Sequence, residues 1–210
     1  INAPWITEKH CLRHVSLPQG RNQQLRPHIR IQKSTLPSRR MAAILLERAA
    51  REIVRSSEAG DSGPLLRFQH PSVQNSYRTL LADREPLVWR HAAIARGLLS
   101  AVDSRLREEI DLELDPSLSP TEWRRAVVSL VACLVKDPET TLPQCKSLLR
   151  SELFERHPAI LSTLLWGLGP VIDAEPELAR ELLDFLSWVD RNDVAQDLAG
   201  LLRDVHNPSF

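Results

Sequence analysis

The chain has 210 residues, 42% of them hydrophobic and 26% charged, as in an ordinary soluble globular protein with a core large enough to need no disulfide or metal. Its 27 basic and 27 acidic residues give a net charge of zero at pH 7, which argues against a global field that attracts nucleic acid or a membrane surface. Seven glycines against fifteen prolines argue against a turn-rich β protein.

The first part of the chain differs from the rest in charge and in pattern. Residues 1–40 contain eight Lys or Arg against Glu8 alone, a net charge of +7, which leaves −7 for the other 170 residues. Residues 1–37 contain four prolines and no helical period, and only the alternating segment 28–32 resembles a strand. We therefore predict two regions, a basic extended arm or linker at 1–37 and an all-α domain at 38–210, with disorder of the arm as the alternative.

From residue 38 onward the sequence predicts helices in close succession. In the first, Ala42, Leu45, Leu46, Ala49, Ile53 and Val54 form one apolar stripe. The predicted helices are 38–57, 71–82, 86–102, a short helix after Asp103, one running to Val135, and then 143–156, 158–172, 176–189 and 192–205. Residues 58–70, with two glycines and a proline, read as a loop. The last three of these helices carry a regular stripe of apolar residues, which completes an all-α prediction.

Helix starts are marked by prolines and by capping residues. Ser119, Pro120 and Glu122 form the clearest signal, because the serine accepts from a first-turn N–H and the glutamate reaches back as in a capping box. Asp103 is a second predicted cap. Pro143, Pro158 and Pro176 each stand where a first turn is predicted. The helix after Ser119 is apolar nearly all round, so we expect it to be central.

Two segments of the sequence match at an offset of 34 residues. Trp89 to Ile94 (WRHAAI) corresponds to Trp123 to Val128 (WRRAVV), and a weaker third copy begins at Arg156. At this period, the chain resembles the HEAT and armadillo class of α-helical repeats, which implies a short α-solenoid of stacked antiparallel helix pairs. An irregular helical bundle is the alternative. The glycine and aromatic positions of a tetratricopeptide array are absent.

Cysteine usage and hydropathy predict where the protein resides. Three cysteines, without a framework spacing, are typical of a reducing, intracellular and cytoplasmic setting. The longest apolar stretches are too short to span a bilayer, and the start does not resemble a signal peptide. Because the first residue is Ile, we expect a piece of a longer protein.

No motif for catalysis, metal or cofactor binding is recognisable. His10 and His14 have a metal-like spacing but no third ligand nearby, so no zinc site is predicted. Cys133 lies in an apolar run and is predicted to be an inert core thiol, whereas Cys145, near a predicted helix start, is placed where a thiolate is stabilised. We therefore predict no catalytic residue, no cofactor and no metal.

The candidate binding residues are tryptophans and arginines in register with the repeat. They are Trp89, Arg90, Trp123, Arg124, Arg125 and Arg156. The tryptophans either pack between helix pairs or anchor a partner. The arginines form either a basic ridge, together with Arg96, Arg105 and Arg107, or a solvated face balanced by acidic neighbours. The acidic stretch 173–184 is a further candidate to pair with the basic arm.

These features favour a non-enzymatic protein–protein interaction scaffold or regulatory domain that binds a peptide or a partner domain on its helical surface. One alternative is a HEAT-like nucleic-acid-binding protein that uses the basic arm and the Arg ridge, although the neutral net charge and acidic body argue against it. The other is a HEAT-like enzyme with dispersed active-site residues, as the resemblance to this class allows.

Overall fold

The computed structural model describes residues 34–115, 119–149 and 159–186. These residues form ten α-helices and no strand, which confirms the all-α prediction. Their bounds are α1 Leu36–Glu58, α2 Gly63–Phe68, α3 Pro71–Leu81, α4 Pro86–Leu99, α5 Ser104–Glu113, α6 Pro120–Cys133, α7 Pro138–Leu149, α8 Ala159–Gly167, α9 Gly169–Ala174 and α10 Pro176–Leu186. The arm predicted at 1–37 and the helix predicted at 192–205 lie outside the described residues, apart from the start of α1.

The helices pack in a regular order that follows the chain. The helices α1, α4, α6 and α8 lie side by side, each in extensive contact with the next. The intervening helices contact them from a second layer: α3 packs on α4, α5 lies against both α4 and α6, and α7 packs between α6 and α10. The helix α8 also contacts α4. The row is therefore curved, because α4 touches three of its members.

The two central helices, α4 and α6, form the core of the described fold. All residues from Ala92 to Leu99 and from Ala126 to Cys133 are buried, which confirms the central position predicted for the helix after Ser119. Two polar residues within these runs hydrogen-bond to each other, since Arg96 Nε donates to Ser129 Oγ at 2.9 Å. Arg96 is fully buried, and its Nη1 donates to Glu113 Oε2 at 2.7 Å.

The predicted helix starts are largely where the capping residues placed them. Ser119 Oγ accepts from the N–H of Glu122 at 3.3 Å, and its hydroxyl donates to the Glu122 carboxylate at 2.7 Å. Asp103 accepts from the N–H of Arg105 at 3.3 Å. Prolines occupy the first turn of eight described helices, α1, α2, α3, α4, α6, α7, α9 and α10, and Pro176 is at the predicted position.

Three predicted elements are corrected by the structure. The loop predicted at 58–70 contains α2, whose first turn holds Pro64. Pro143 lies inside α7 and not in its first turn, because the helix already begins at Pro138; the ring lies on the exposed side. The helix predicted at 158–172 is two helices, α8 and α9, separated at Leu168.

The buried stripe of α1 agrees with its prediction at Ile53 and Val54 and differs from it at two other positions. Leu45 is 54% exposed, and Ala49 is exposed as well. The buried residues are Ala43, Ala50, Ile53 and Val54. Apolar residues stand in adjacent pairs along α1, so the sequence is compatible with two neighbouring stripes, and contact with α4 selects one of them.

Within the described residues, no helix combines the length and the apolar character needed to cross a membrane.

Candidate functional site

Four side chains from three helices meet at one place on the row of helices. They are Trp89 and Arg90 of α4, Arg124 of α6 and Trp166 of α8, named here the tryptophan–arginine cluster. The indole rings of Trp89 and Trp166 have centroids 5.9 Å apart. Three of the four residues were predicted as binding residues from the repeat, and the fold brings them together.

Both arginines of the cluster stand over an indole ring. The guanidinium carbons of Arg90 and of Arg124 each lie 5.6 Å from the centroid of Trp166. Arg124 also lies 5.9 Å from the centroid of Trp89. These distances fall within the range of cation–π attraction. The Trp166 ring therefore helps to hold two cationic groups at one site.

The helices position the cluster by equivalent registers. Trp89 and Trp123 are both the fourth residue of their helices, α4 and α6, so Arg90 and Arg124 also occupy equivalent positions. Arg124 is further fixed by α8, because its Nε donates to Thr163 Oγ1 at 2.9 Å. Trp89 is buried, whereas Arg90, Arg124 and Trp166 are half-buried. The cluster thus has an apolar floor and a cationic, partly exposed upper side.

Neither arginine of the cluster has a carboxylate within ion-pair distance in the described part of the chain. The buried Nε of Arg90 also lacks a hydrogen-bond partner there. Burial lowers the pKa of Arg90 below its ordinary value, and the nearby charge of Glu47 opposes this only in part. The cluster therefore holds positive charge that the described residues do not neutralise.

The carboxylate whose charge acts on Arg90, that of Glu47 on α1, is engaged by other groups. One oxygen of Glu47 lies 2.7 Å from His91 Nδ1, and the other accepts from Arg51 Nη2 at 3.0 Å. Burial raises the pKa of Glu47, but these hydrogen bonds outweigh it and hold the pKa below its usual range. Arg51 also lies 3.8 Å from Asp173 of α9, so these charged side chains connect α1 with α9.

The remaining predicted binding residues are placed elsewhere. Trp123 is buried in the core, where its Nε1 donates to the Leu114 carbonyl at 3.2 Å. Arg125 donates to the Asp83 carbonyl at 3.0 Å, and burial lowers the pKa of Arg125. Arg156 lies outside the described residues.

The other arginines of the proposed ridge do not extend the cluster. Arg96 is fully buried. Arg105 pairs with Asp103 at 2.7 Å, and Arg107 hydrogen-bonds to Thr141 and Gln144 of α7. In the acidic stretch, Asp173 faces Arg51, Glu181 pairs with Lys146, and Glu177 pairs with Arg180. The predicted pairing of this stretch with the arm involves residues that the structure does not describe.

The two cysteines among the described residues, Cys133 and Cys145, are not placed as reactive groups. Cys133 is buried, as predicted for a core thiol, and burial raises the pKa of its thiol. Cys145 lies well inside α7 and not at its start, and burial raises its pKa to about 12. The predicted thiolate stabilisation at Cys145 is therefore wrong, because the group is deeply buried and away from the helix N-terminus. His10 and His14 lie outside the described residues, in which no group of three or more potential metal ligands converges.

Sequence reasoning missed Trp166, the fourth member of the cluster, and Thr163, which orients Arg124. Matching Leu164 and Leu165 to Leu98 and Leu99 places Trp166 beyond the repeat's tryptophan position, so the repeat gives no reason to pair it with Trp89. Its proximity to Trp89 comes from the contact of α8 with α4, which joins helices distant in sequence.

Comparisons with models of protein families, with curated proteins and with solved structures found no significant match.

Proposed function

We propose that this chain is a non-enzymatic protein–protein interaction module, a scaffold or regulatory domain, built as a short HEAT-like α-solenoid. The side-by-side order of α1, α4, α6 and α8, with shorter helices packed between them, supports this architecture. The equivalent registers of Trp89 and Trp123 support a repeat origin for α4 and α6. In such stacks, neighbouring helix pairs share one core and present a continuous surface to partners.

One observation favours the tryptophan–arginine cluster as the partner-binding site: two half-buried guanidinium groups share the Trp166 ring and have no carboxylate partner among the described residues. Tryptophan and arginine are the residues most enriched where binding energy is concentrated. An indole that holds two arginine side chains in place reduces the conformational entropy they lose on binding. The cluster is thus suited to anchor a partner.

Affinity capture with the full-length protein as bait tests this proposal. We expect the variant Arg90→Ala with Arg124→Ala to lose at least one protein that the unmodified bait retains. The matched control is Arg40→Ala with Arg48→Ala, which removes two exposed arginines of α1 and the same amount of charge. Circular dichroism establishes that both variants remain folded. Identical sets of captured proteins for all three baits would contradict the proposal.

A further inference from the structure

We propose that the tryptophan–arginine cluster recognises an acidic peptide segment, in which two carboxylates bind Arg90 and Arg124 and an apolar neighbour lies against Trp166. This inference rests on the proposed interaction function and adds the chemical class of the partner.

The first argument is the contrast between these two arginines and other buried or half-buried arginines of the fold. Arg39 of α1 pairs with Asp83 at 2.8 Å and Arg96 of α4 pairs with Glu113 at 2.7 Å, while Arg125 of α6 makes no ion pair but donates to the Asp83 carbonyl at 3.0 Å. Arg90 and Arg124 are half-buried without such a partner in the described residues. A positive charge withdrawn from water is unfavourable unless an opposite charge or a full set of hydrogen bonds compensates it. An incoming carboxylate would supply both.

The second argument is that the two guanidinium groups have N–H donors that make no hydrogen bond within the described residues. The Nε of Arg90 is buried and makes no hydrogen bond within the described residues, so the donors of Arg90 within reach of a ligand are its terminal nitrogens. A guanidinium group has five N–H donors in a planar fork that matches the two oxygens of a carboxylate. Arg124 uses its Nε on Thr163, which orients the group and leaves its terminal nitrogens available for a ligand.

The third argument is the spacing of the two guanidinium groups. Each guanidinium carbon is 5.6 Å from the same ring centroid, so the two carbons are separated by no more than twice that distance. Acidic side chains three or four positions apart on a helix are about 5–6 Å apart at their Cβ atoms. Because the ends of these side chains are flexible, one short segment with two acidic residues is long enough to contact both arginines.

The surroundings of the cluster favour a peptide over a nucleic acid. The charge of Glu47 acts on Arg90, and Arg51, which pairs with Glu47, also lies 3.8 Å from Asp173, whose side chain is 69% exposed. A nucleic acid presents a dense row of phosphates, which these carboxylates would repel. A peptide presents a few carboxylates at chosen positions and an apolar side chain for the half-buried Trp166 ring.

Fluorescence anisotropy with labelled peptides tests the inference on the full chain. The probes are peptides of about ten residues with two glutamates three or four positions apart beside a leucine, their glutamine counterparts, and a labelled DNA duplex. We expect the glutamate peptides to bind and the glutamine peptides not to bind. Arg90→Gln and Arg124→Gln should each weaken binding by about tenfold or more, the loss of one charge-assisted contact. Arg124→Lys should retain part of the affinity.

The matched control for these variants is Arg40→Gln with Arg48→Gln, which should bind the glutamate peptides as the unmodified chain does. The inference is overturned if no glutamate peptide binds, if the glutamine peptides bind equally well, or if the Arg90 and Arg124 variants keep full affinity. It is also overturned, in favour of nucleic-acid recognition, if the duplex binds more tightly than the peptides and loses binding in the same variants.

The two proposals fail in distinguishable ways. If affinity capture loses a partner with the Arg90 and Arg124 substitutions while the glutamate peptides do not bind, the interaction function stands and the acidic class is wrong. If capture is unchanged by those substitutions, neither proposal holds for this cluster.

Discussion

At the scale of single residues, Gly97 determines how closely α4 approaches α6. A Cβ atom at this position would lie 2.1 Å from the Ser129 carbonyl oxygen and 2.7 Å from Ala132 Cβ. Because both contacts involve rigid parts of α6, the helices must separate to admit a methyl group. We expect Gly97→Ala to lower the free energy of unfolding by about 1–3 kcal/mol, despite the better helix propensity of alanine, as measured by urea denaturation.

Gly169 provides the matched control for this substitution. It is the first residue of α9, and a Cβ atom there would have no atom within 4 Å. Gly169→Ala should therefore change the free energy of unfolding by about 0.5 kcal/mol or less. Equal effects of the two substitutions would contradict the close packing of α4 on α6.

Glu47 is the residue whose titration bears most directly on the border of the cluster. Its pKa lies below the usual value of 4.5 because the hydrogen bonds from His91 and Arg51 outweigh its burial. A lowered folded pKa contributes stability that is present above the unfolded pKa and is lost as the pH falls through the folded pKa. We expect Glu47→Gln to reduce the free energy of unfolding at pH 7 and to lose this effect in acid, as followed by urea denaturation between neutral and acidic pH.

Glu108→Gln is the corresponding control, because Glu108 is exposed on α5 and makes no ion pair among those described. Its substitution should change the free energy of unfolding at pH 7 by about 0.5 kcal/mol or less. A Glu47→Gln variant whose pH profile follows that of the unmodified protein would show that Glu47 is not held in its ionised form by His91 and Arg51.

At the scale of elements, Asp103 links the start of α5 to α2. One of its oxygens accepts from the N–H of Arg105, and the other accepts from Gln69 Nε2 at 3.2 Å. Asp103→Ala should destabilise the fold by about 1–2 kcal/mol, the typical cost of removing an N-cap. Asp103→Asn keeps the capping oxygen and should cost less. Thermal unfolding of both variants measures the difference, and equal losses would show that the cap is not the source of the stability.

Local chemistry made many of these helix starts predictable. The cap of α5 at Asp103 and that of α6 at Ser119 depend on side chains within three residues of the helix, so sequence alone reveals them. The helix α2 was missed because two glycines and a proline favour a loop, although Pro64 is tolerated in a first turn. The stripe of α1 was misplaced because only its contact with α4 decides between Leu45 and its neighbours.

At the scale of the whole molecule, the row of α1, α4, α6 and α8 brings distant residues to one site. The offset between Trp89 and Trp123 in the sequence placed Arg90 and Arg124 at equivalent positions, and this much of the cluster was predictable. The positions of Trp166 in the cluster and of Glu47 beside it were not predictable, because they depend on how α8 and α1 pack against α4. Periodicity fixes which face of a helix is apolar, whereas the curvature of the row is determined by packing between helices.

The same packing separates residues that the sequence suggested would act together. Trp123 occupies the repeat position of Trp89, yet its indole is buried against α5 and the Leu114 carbonyl. Arg96, expected on a basic ridge, is enclosed between α4, α5 and α6. Burial of equivalent residues therefore differs from one helix pair to the next, which confines the candidate site to the place where α4, α6 and α8 meet.

The central claim is that partners bind at the tryptophan–arginine cluster, and the most direct test observes its guanidinium groups. NMR spectra of the arginine Nε–Hε groups, assigned by single Arg→Lys variants, are recorded while a captured partner is added to the full chain. The resonances of Arg90 and Arg124 should shift on binding, while those of the exposed Arg40 and Arg48 on α1 remain in place. Binding that moves the α1 resonances and leaves Arg90 and Arg124 unchanged would contradict the claim.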